Sequence, residues 1–194
     1  MLLVFAYYLE AVDTIKRVNA QKIAPNLYTF PGGKILLTGL GIHAAQAAIS
    51  KYSVEHDEIW NFGFAGALQE FPLFELVSIG QITKYVPVTL DEHSQTQMEE
   101  HLVPQNLEGD YNLLTSDFPI HDEKFRHKNC HLVDMEGYGI AYAANYLGKK
   151  CRMWKIVSDF ARPGGPQLIR ENLSELSKLL ADKVEDESYR HARL

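Results

Sequence analysis

Segments of four to eleven residues rich in β-branched, aromatic and leucine side chains recur along this chain, and the stretches between them carry helical spacing. That alternation constrains the fold more than any other feature. Strands that are apolar throughout need cover on both faces, and helices lying between them in sequence supply it. Residues 2–8, 27–30, 34–40, 58–64, 76–86, 111–116, 131–135 and 152–158 read as strands, rich in β-branched, aromatic and leucine side chains. Residues 10–19 set Ala11, Ile15 and Val18 on one helical face, and residues 44–49, 136–147 and 168–184 read as further helices. Pro31-Gly32-Gly33 marks a hairpin turn between the second and third strands. The expected class is α/β, a sandwich around a largely buried sheet. At 194 residues the chain fits one domain, 1–194.

Charge narrows the partners. Lys and Arg number 19 against 25 Asp and Glu, a net charge of −6, and no basic cluster stands out. A polymeric nucleic acid needs cations against its phosphates and is a poor fit, whereas a small, weakly charged ligand is compatible. Cys130 and Cys151 form no framework, which points to a reducing, cytoplasmic setting. The first nine residues are apolar but too short for a span and are followed at once by Glu10, so no membrane segment is expected. Between Val86 and Asp110 stand six acids and no Lys or Arg, which reads as a solvated excursion or a lid. His121, His127 and His131 lie near Cys130, but the spacing matches no familiar ligand set, so neither a metal nor a cofactor is expected.

Gly39-Leu40-Gly41-Ile42-His43-Ala44 loosely matches a dinucleotide fingerprint. The next strand, Ile59-Trp60-Asn61-Phe62-Gly63, lacks the acid that would hold a ribose hydroxyl. A tight turn or a backbone lining for a small-molecule pocket fits better. Three acids then stand at strand ends: Glu10, Glu136 and Asp159. In α/β sheets ligands gather outside strand ends, so three carboxylates there point to one pocket, although any one alone reads as a cap or an exposed acid.

Gly63-Phe64-Ala65-Gly66-Ala67-Leu68, Val133-Asp134-Met135-Glu136-Gly137 and Val157-Ser158-Asp159, in this order, resemble the nucleoside phosphorylase/hydrolase superfamily. Within it the likeness is to 5′-methylthioadenosine/S-adenosylhomocysteine nucleosidases and futalosine hydrolases, over nearly the whole chain. The resemblance implies a three-layer sandwich with a mixed central sheet flanked by helices. It also implies a homodimer, for which Phe71-Pro72-Leu73-Phe74 offers an apolar interface. It implies that Asp159 is the acid for purine N7, oriented by Ser158, and that Glu10 activates water. Glu136 would hold the ribose 2′-hydroxyl with Met135 beside the sugar, and Phe118 and Ile120 would hold the base. Phe64, Gly63 and Lys155 are expected at the substrate too. Two departures stand out: Phe64 replaces the serine usual in the methylthioadenosine enzymes, and Lys155 replaces an arginine, exchanging a planar fork for a point charge.

The chemistry agrees with hydrolysis. Glycoside cleavage passes through an oxocarbenium-like state and needs an acid at the leaving group and a base at the water. A phosphorylase would need a cationic phosphate site, and arginine is scarce near the glycine turns. A non-catalytic nucleoside-binding module would tolerate loss of Glu10 or Asp159, yet both are present.

Overall fold

A computed structural model describes residues 1–86, 103–121 and 129–193. In chain order the elements are β1 (Leu2–Phe5), α1 (Tyr8–Arg17), β2 (Gln21–Ala24), β3 (Leu27–Phe30), β4 (Gly33–Leu37), α2 (Ile42–Tyr52), β5 (Glu58–Ala67), β6 (Leu76–Lys84), β7 (Gln105–Asn106), β8 (Tyr111–Thr115), β9 (Leu132–Asp134), α3 (Gly137–Tyr146), β10 (Lys150–Asp159) and α4 (Gly165–His191). The sheet runs β10-β6-β8-β9-β5-β1-β4-β3-β2, with β7 beside β6. It is mixed: β1 lies parallel to β4 and β5, while β9 is antiparallel to β5 and β10 antiparallel to β6. Because β10 also pairs with β5, the strands β5, β10, β6, β8 and β9 close on themselves.

The period-2 rule explains the layers. On β1, Leu2 and Val4 pack with Ala45 and Ile49 of α2 and Ile140 and Ala144 of α3. Leu3 and Phe5 face the other way, onto Ala11 and Ile15 of α1 and Leu176 and Leu180 of α4. Each fully buried side chain of this size contributes about 1.5–3 kcal/mol, and both faces of β1 are covered. The α/β three-layer architecture with a mixed sheet follows.

Several boundaries differ from expectation for physical reasons. β5 does not stop at Phe64 but runs through the glycines to Ala67, because β10 pairs along it and β9 pairs with Gly66 and Ala67. The short strand β2 pairs with β3 at the sheet edge. α4 extends well beyond 168–184 at both ends: Gly164, at φ 96°, opens it, and Leu176, Leu180, Ala181 and Val184 keep it on the core. Phe71 and Leu73 are partly buried against one core cluster, and Phe74 against the other, while Pro72 is exposed. Of the acidic excursion, residues 87–102 lie outside the described residues, and with them the lid. Residues 103–110 are tied down: β7 pairs with β6, and Glu108 meets Lys150 and Arg152. Among the described residues no helix is long and apolar enough to cross a membrane.

The β10–β5 register slips near its end. Val157 faces Ala65 and Asp159 faces Gly66, leaving Ser158 as the extra residue.

Candidate active site

Strands β1, β9 and β10 end around one cavity of about 230 Å³. β1 and the first turn of α1 bring Glu10. β9 brings Asp134, Met135 and Glu136, and β10 brings Ser158 and Asp159.

Glu10 is 3% exposed. Its Oε2 accepts the Ala6 N–H at 2.9 Å and its Oε1 the Phe64 N–H at 3.0 Å. Burial pushes its carboxyl above the usual range, and the nearby Lys155 and backbone donors oppose that push. Glu136 Oε1 accepts the Gly41 N–H at 2.8 Å. Gly41 has φ 93°, a conformation strained for residues with a Cβ, so the 39–41 turn serves to aim a backbone donor at this carboxylate. Burial, then the charge of Asp134, push Glu136 up to about 7.

Beneath these carboxylates lies a buried ion pair. Lys155 is 2% exposed, and its Nζ stands 2.8 Å from Asp134 Oδ2. Asp134 also accepts Thr115 Oγ1 at 2.7 Å and the Gly137 N–H at 2.9 Å. Burial pulls the Lys155 ammonium down, but Asp134, Glu10 and Glu136 together hold it above its ordinary value. Gly63 gives the ammonium room: a Cβ there would stand 3.1 Å from Lys155 Nζ and 3.3 Å from Glu10 Oε1.

At the far end, Asp159 is 8% exposed. Ser158 Oγ donates to its Oδ2 at 3.0 Å and the Ala161 N–H to its Oδ1 at 2.7 Å. A Cβ at Gly66 would stand 3.0 Å from Oδ1, so the glycine of β5 keeps this corner open. Phe118 and Ile120, after β8, line the same cavity, and the half-exposed Phe118 ring stands edge-on to Tyr85.

Eight of the ten residues expected at the substrate thus line this one cavity: Asp159, Glu10, Glu136, Met135, Ser158, Phe118, Ile120 and Phe64. Lys155 and Gly63 do not line it. Asp134, at the end of β9 on the far side of β5, holds the ammonium. Asp134, Tyr7, Leu40 and His121 also line the cavity and were not expected there. The signal for Asp134 was its place in the Val133-Asp134-Met135-Glu136-Gly137 motif, where the strand ends and all three central residues reach the cavity.

Among the described residues no group of three or more His, Cys, Asp and Glu side chains could hold a metal. His131 Nδ1 accepts the Asn112 N–H, Cys130 is buried in an apolar cluster, and His127 lies outside the described residues.

The mixed closed sheet, with helices on both faces and its cavity at the strand ends, is a nucleoside phosphorylase/hydrolase-like fold. Solved structures share it, among them the following. The chain superposes on the nucleosidase (MTAN) CT263 of Chlamydia trachomatis with a TM-score of 0.82, at 24% identity over 97% of each chain. On a futalosine hydrolase mutant of Helicobacter pylori the TM-score is 0.75, at 13% identity over 95% of this chain and 96% of that one. On a Helicobacter pylori MTAN mutant with 5′-methylthioadenosine in its active site it is 0.77, at 12% identity over 97% of each. No family model and no curated protein matches the chain.

Proposed function

We propose that this chain is an N-glycosyl hydrolase that cleaves adenine nucleosides with water, freeing adenine and a 5′-substituted ribose. The observation that carries the reading is the convergence of Glu10, Glu136 and Asp159, from three separate strand ends, on one small cavity. The C1′–N9 bond breaks through an oxocarbenium-like state. Asp159 gives its proton to N7 as the purine leaves, and Glu10 takes a proton from the water that adds to C1′. Glu136 accepts the ribose 2′-hydroxyl with Met135 beside the sugar, and Phe118 and Ile120 hold the base. Structural neighbours bind 5′-methylthioadenosine and adenine, which supports adenine nucleosides as substrates. The candidates are 5′-methylthioadenosine, S-adenosylhomocysteine and 6-amino-6-deoxyfutalosine. Phosphorolysis is disfavoured because no Lys or Arg lines the cavity among the described residues.

A carboxyl at N7 also accepts a hydrogen bond from a 6-amino group, which a 6-oxo base lacks. An unpaired acceptor there costs about 1–3 kcal/mol, so adenine nucleosides are favoured roughly tenfold to a hundredfold over hypoxanthine ones. The test is incubation with a panel of adenine and hypoxanthine nucleosides, with and without phosphate, assaying free base and ribose 1-phosphate. Free adenine without phosphate is expected, and Glu10→Gln lowers turnover about 10²–10⁴-fold while nucleoside binding persists. Phosphate-dependent release of ribose 1-phosphate overturns the hydrolase. A homodimer in the cytoplasm belongs to the same reading and rests on the resemblance and the composition. A monomeric mass by light scattering in an active sample removes the dimer.

A further inference from the structure

One polar group on the cavity wall has no part in that scheme. Tyr7 joins β1 to α1 and lines the cavity beside Ala6 and Glu10. Its ring stands at 90° to that of Phe64, centroids 6.3 Å apart, so its plane is fixed by packing. Among the described residues its hydroxyl makes no hydrogen bond. The carboxylates nearby already have backbone partners: Glu10 holds the Ala6 and Phe64 N–H groups, and Glu136 holds the Gly41 N–H.

The Tyr7 ring packs on Phe64, whose N–H is held by Glu10, and Tyr7 follows Ala6, whose N–H the same carboxylate holds, so it stands on the Glu10 side of the cavity. Burial, then the charge of Glu10, then that of Glu136 raise its pKa. All three effects keep the phenol protonated and therefore a donor. A phenylalanine would supply the same edge contact with Phe64, so the hydroxyl is the part that packing leaves unexplained. A donor on the wall of a cavity that Glu10 and Glu136 also line fits a ligand oxygen.

We propose that Tyr7 is a specificity-determining residue whose hydroxyl donates a hydrogen bond to a ribose hydroxyl oxygen of the bound nucleoside. This rests on the nucleoside-hydrolase reading above and adds a sugar contact to it. It makes the site selective for intact ribosides over the deoxy sugar that lacks the partner oxygen.

The test compares wild type and Tyr7→Phe on 5′-methylthioadenosine and on its 2′-deoxy and 3′-deoxy analogues. Tyr7→Phe is expected to raise KM about fivefold to tenfold on the parent, the worth of one neutral hydrogen bond, with kcat within twofold. On one of the two analogues the same substitution has no effect, because the partner oxygen is already missing. Affinity for free adenine stays unchanged, since the base sits at the other end of the cavity. Three outcomes overturn the proposal: unchanged kinetics on the parent, an equal loss on all three substrates, or weakened adenine binding in parallel. A wild-type protein that cleaves none of the nucleosides overturns the hydrolase reading, and this contact with it. A cleaving wild type with an unaffected Tyr7→Phe variant overturns this contact alone.

Discussion

The two ends of the cavity use the same chemical group under opposite electrostatic conditions. At the end proposed for the sugar, Asp134, Glu10 and Glu136 share a single buried ammonium, Lys155. At the end proposed for the base, Asp159 is held by a hydroxyl and a backbone N–H, and among the described residues no cation pairs with it. The difference matches the direction of proton flow in the proposed hydrolysis. A group that must accept a proton or a hydrogen bond is served by a cation that keeps it ionised, whereas a group that must donate a proton is hindered by one. A single ammonium cannot neutralise three acids, and the excess appears at Glu136, which burial and Asp134 push up to about 7.

The largest expected effect breaks the base end. Asp159→Asn retains both hydrogen-bonding neighbours but carries no acidic proton, and release of adenine from adenine nucleosides should fall about 10²–10⁴-fold. An active variant in a free-base assay would remove Asp159 from the acid role. The next effect is on stability. Lys155→Met leaves Asp134 buried and unpaired, at a cost of about 3–5 kcal/mol in urea unfolding. The Lys155→Met/Asp134→Asn pair should lose less than the single change; equal losses would mean that the ammonium serves the sheet by packing alone. The smallest effect sharpens the sugar end through pH. The pKa of Glu136 in the folded chain, about 7, lies above its ordinary value of 4.5. Its contribution to stability is therefore fully present below about pH 4.5 and is lost as pH rises through about 7. Glu136→Gln lacks this loss, so between pH 5 and pH 8 the variant should gain on wild type by on the order of 1–3 kcal/mol. A stability difference that is flat across that range would count against a strained Glu136.

Much of this was legible in the chain itself. The alternation of apolar runs with helical spacing marked the layers, and Glu10, Glu136 and Asp159 were visible as acids at strand ends. What escaped is what tertiary pairing decides. Lys155 and Asp134 are 21 positions apart, and nothing local shows that an ammonium of β10 would turn to β9 and away from the ligand. The Gly63–Gly66 run carries turn chemistry in sequence, yet pairing with β10 and β9 carries β5 through it. The bond from Gly41 to Glu136 joins a turn to a helix start 95 positions later. In each case the local signal was silent about the partner.

The slip at Ser158 has a consequence for how such a site is inherited. Successive residues of a strand face opposite ways, so in an unbroken ladder Ser158 and Asp159 would part company. The single unmatched position between Val157 and Asp159 brings both to the cavity, where the serine hydroxyl meets the carboxyl. The aim of the acid is thus stored in the number of residues between two pairing points as well as in their kinds. Point changes along β10 can vary its chemistry while leaving that count intact. Loss of one codon there would leave an aspartate in the chain and turn it away from the ligand.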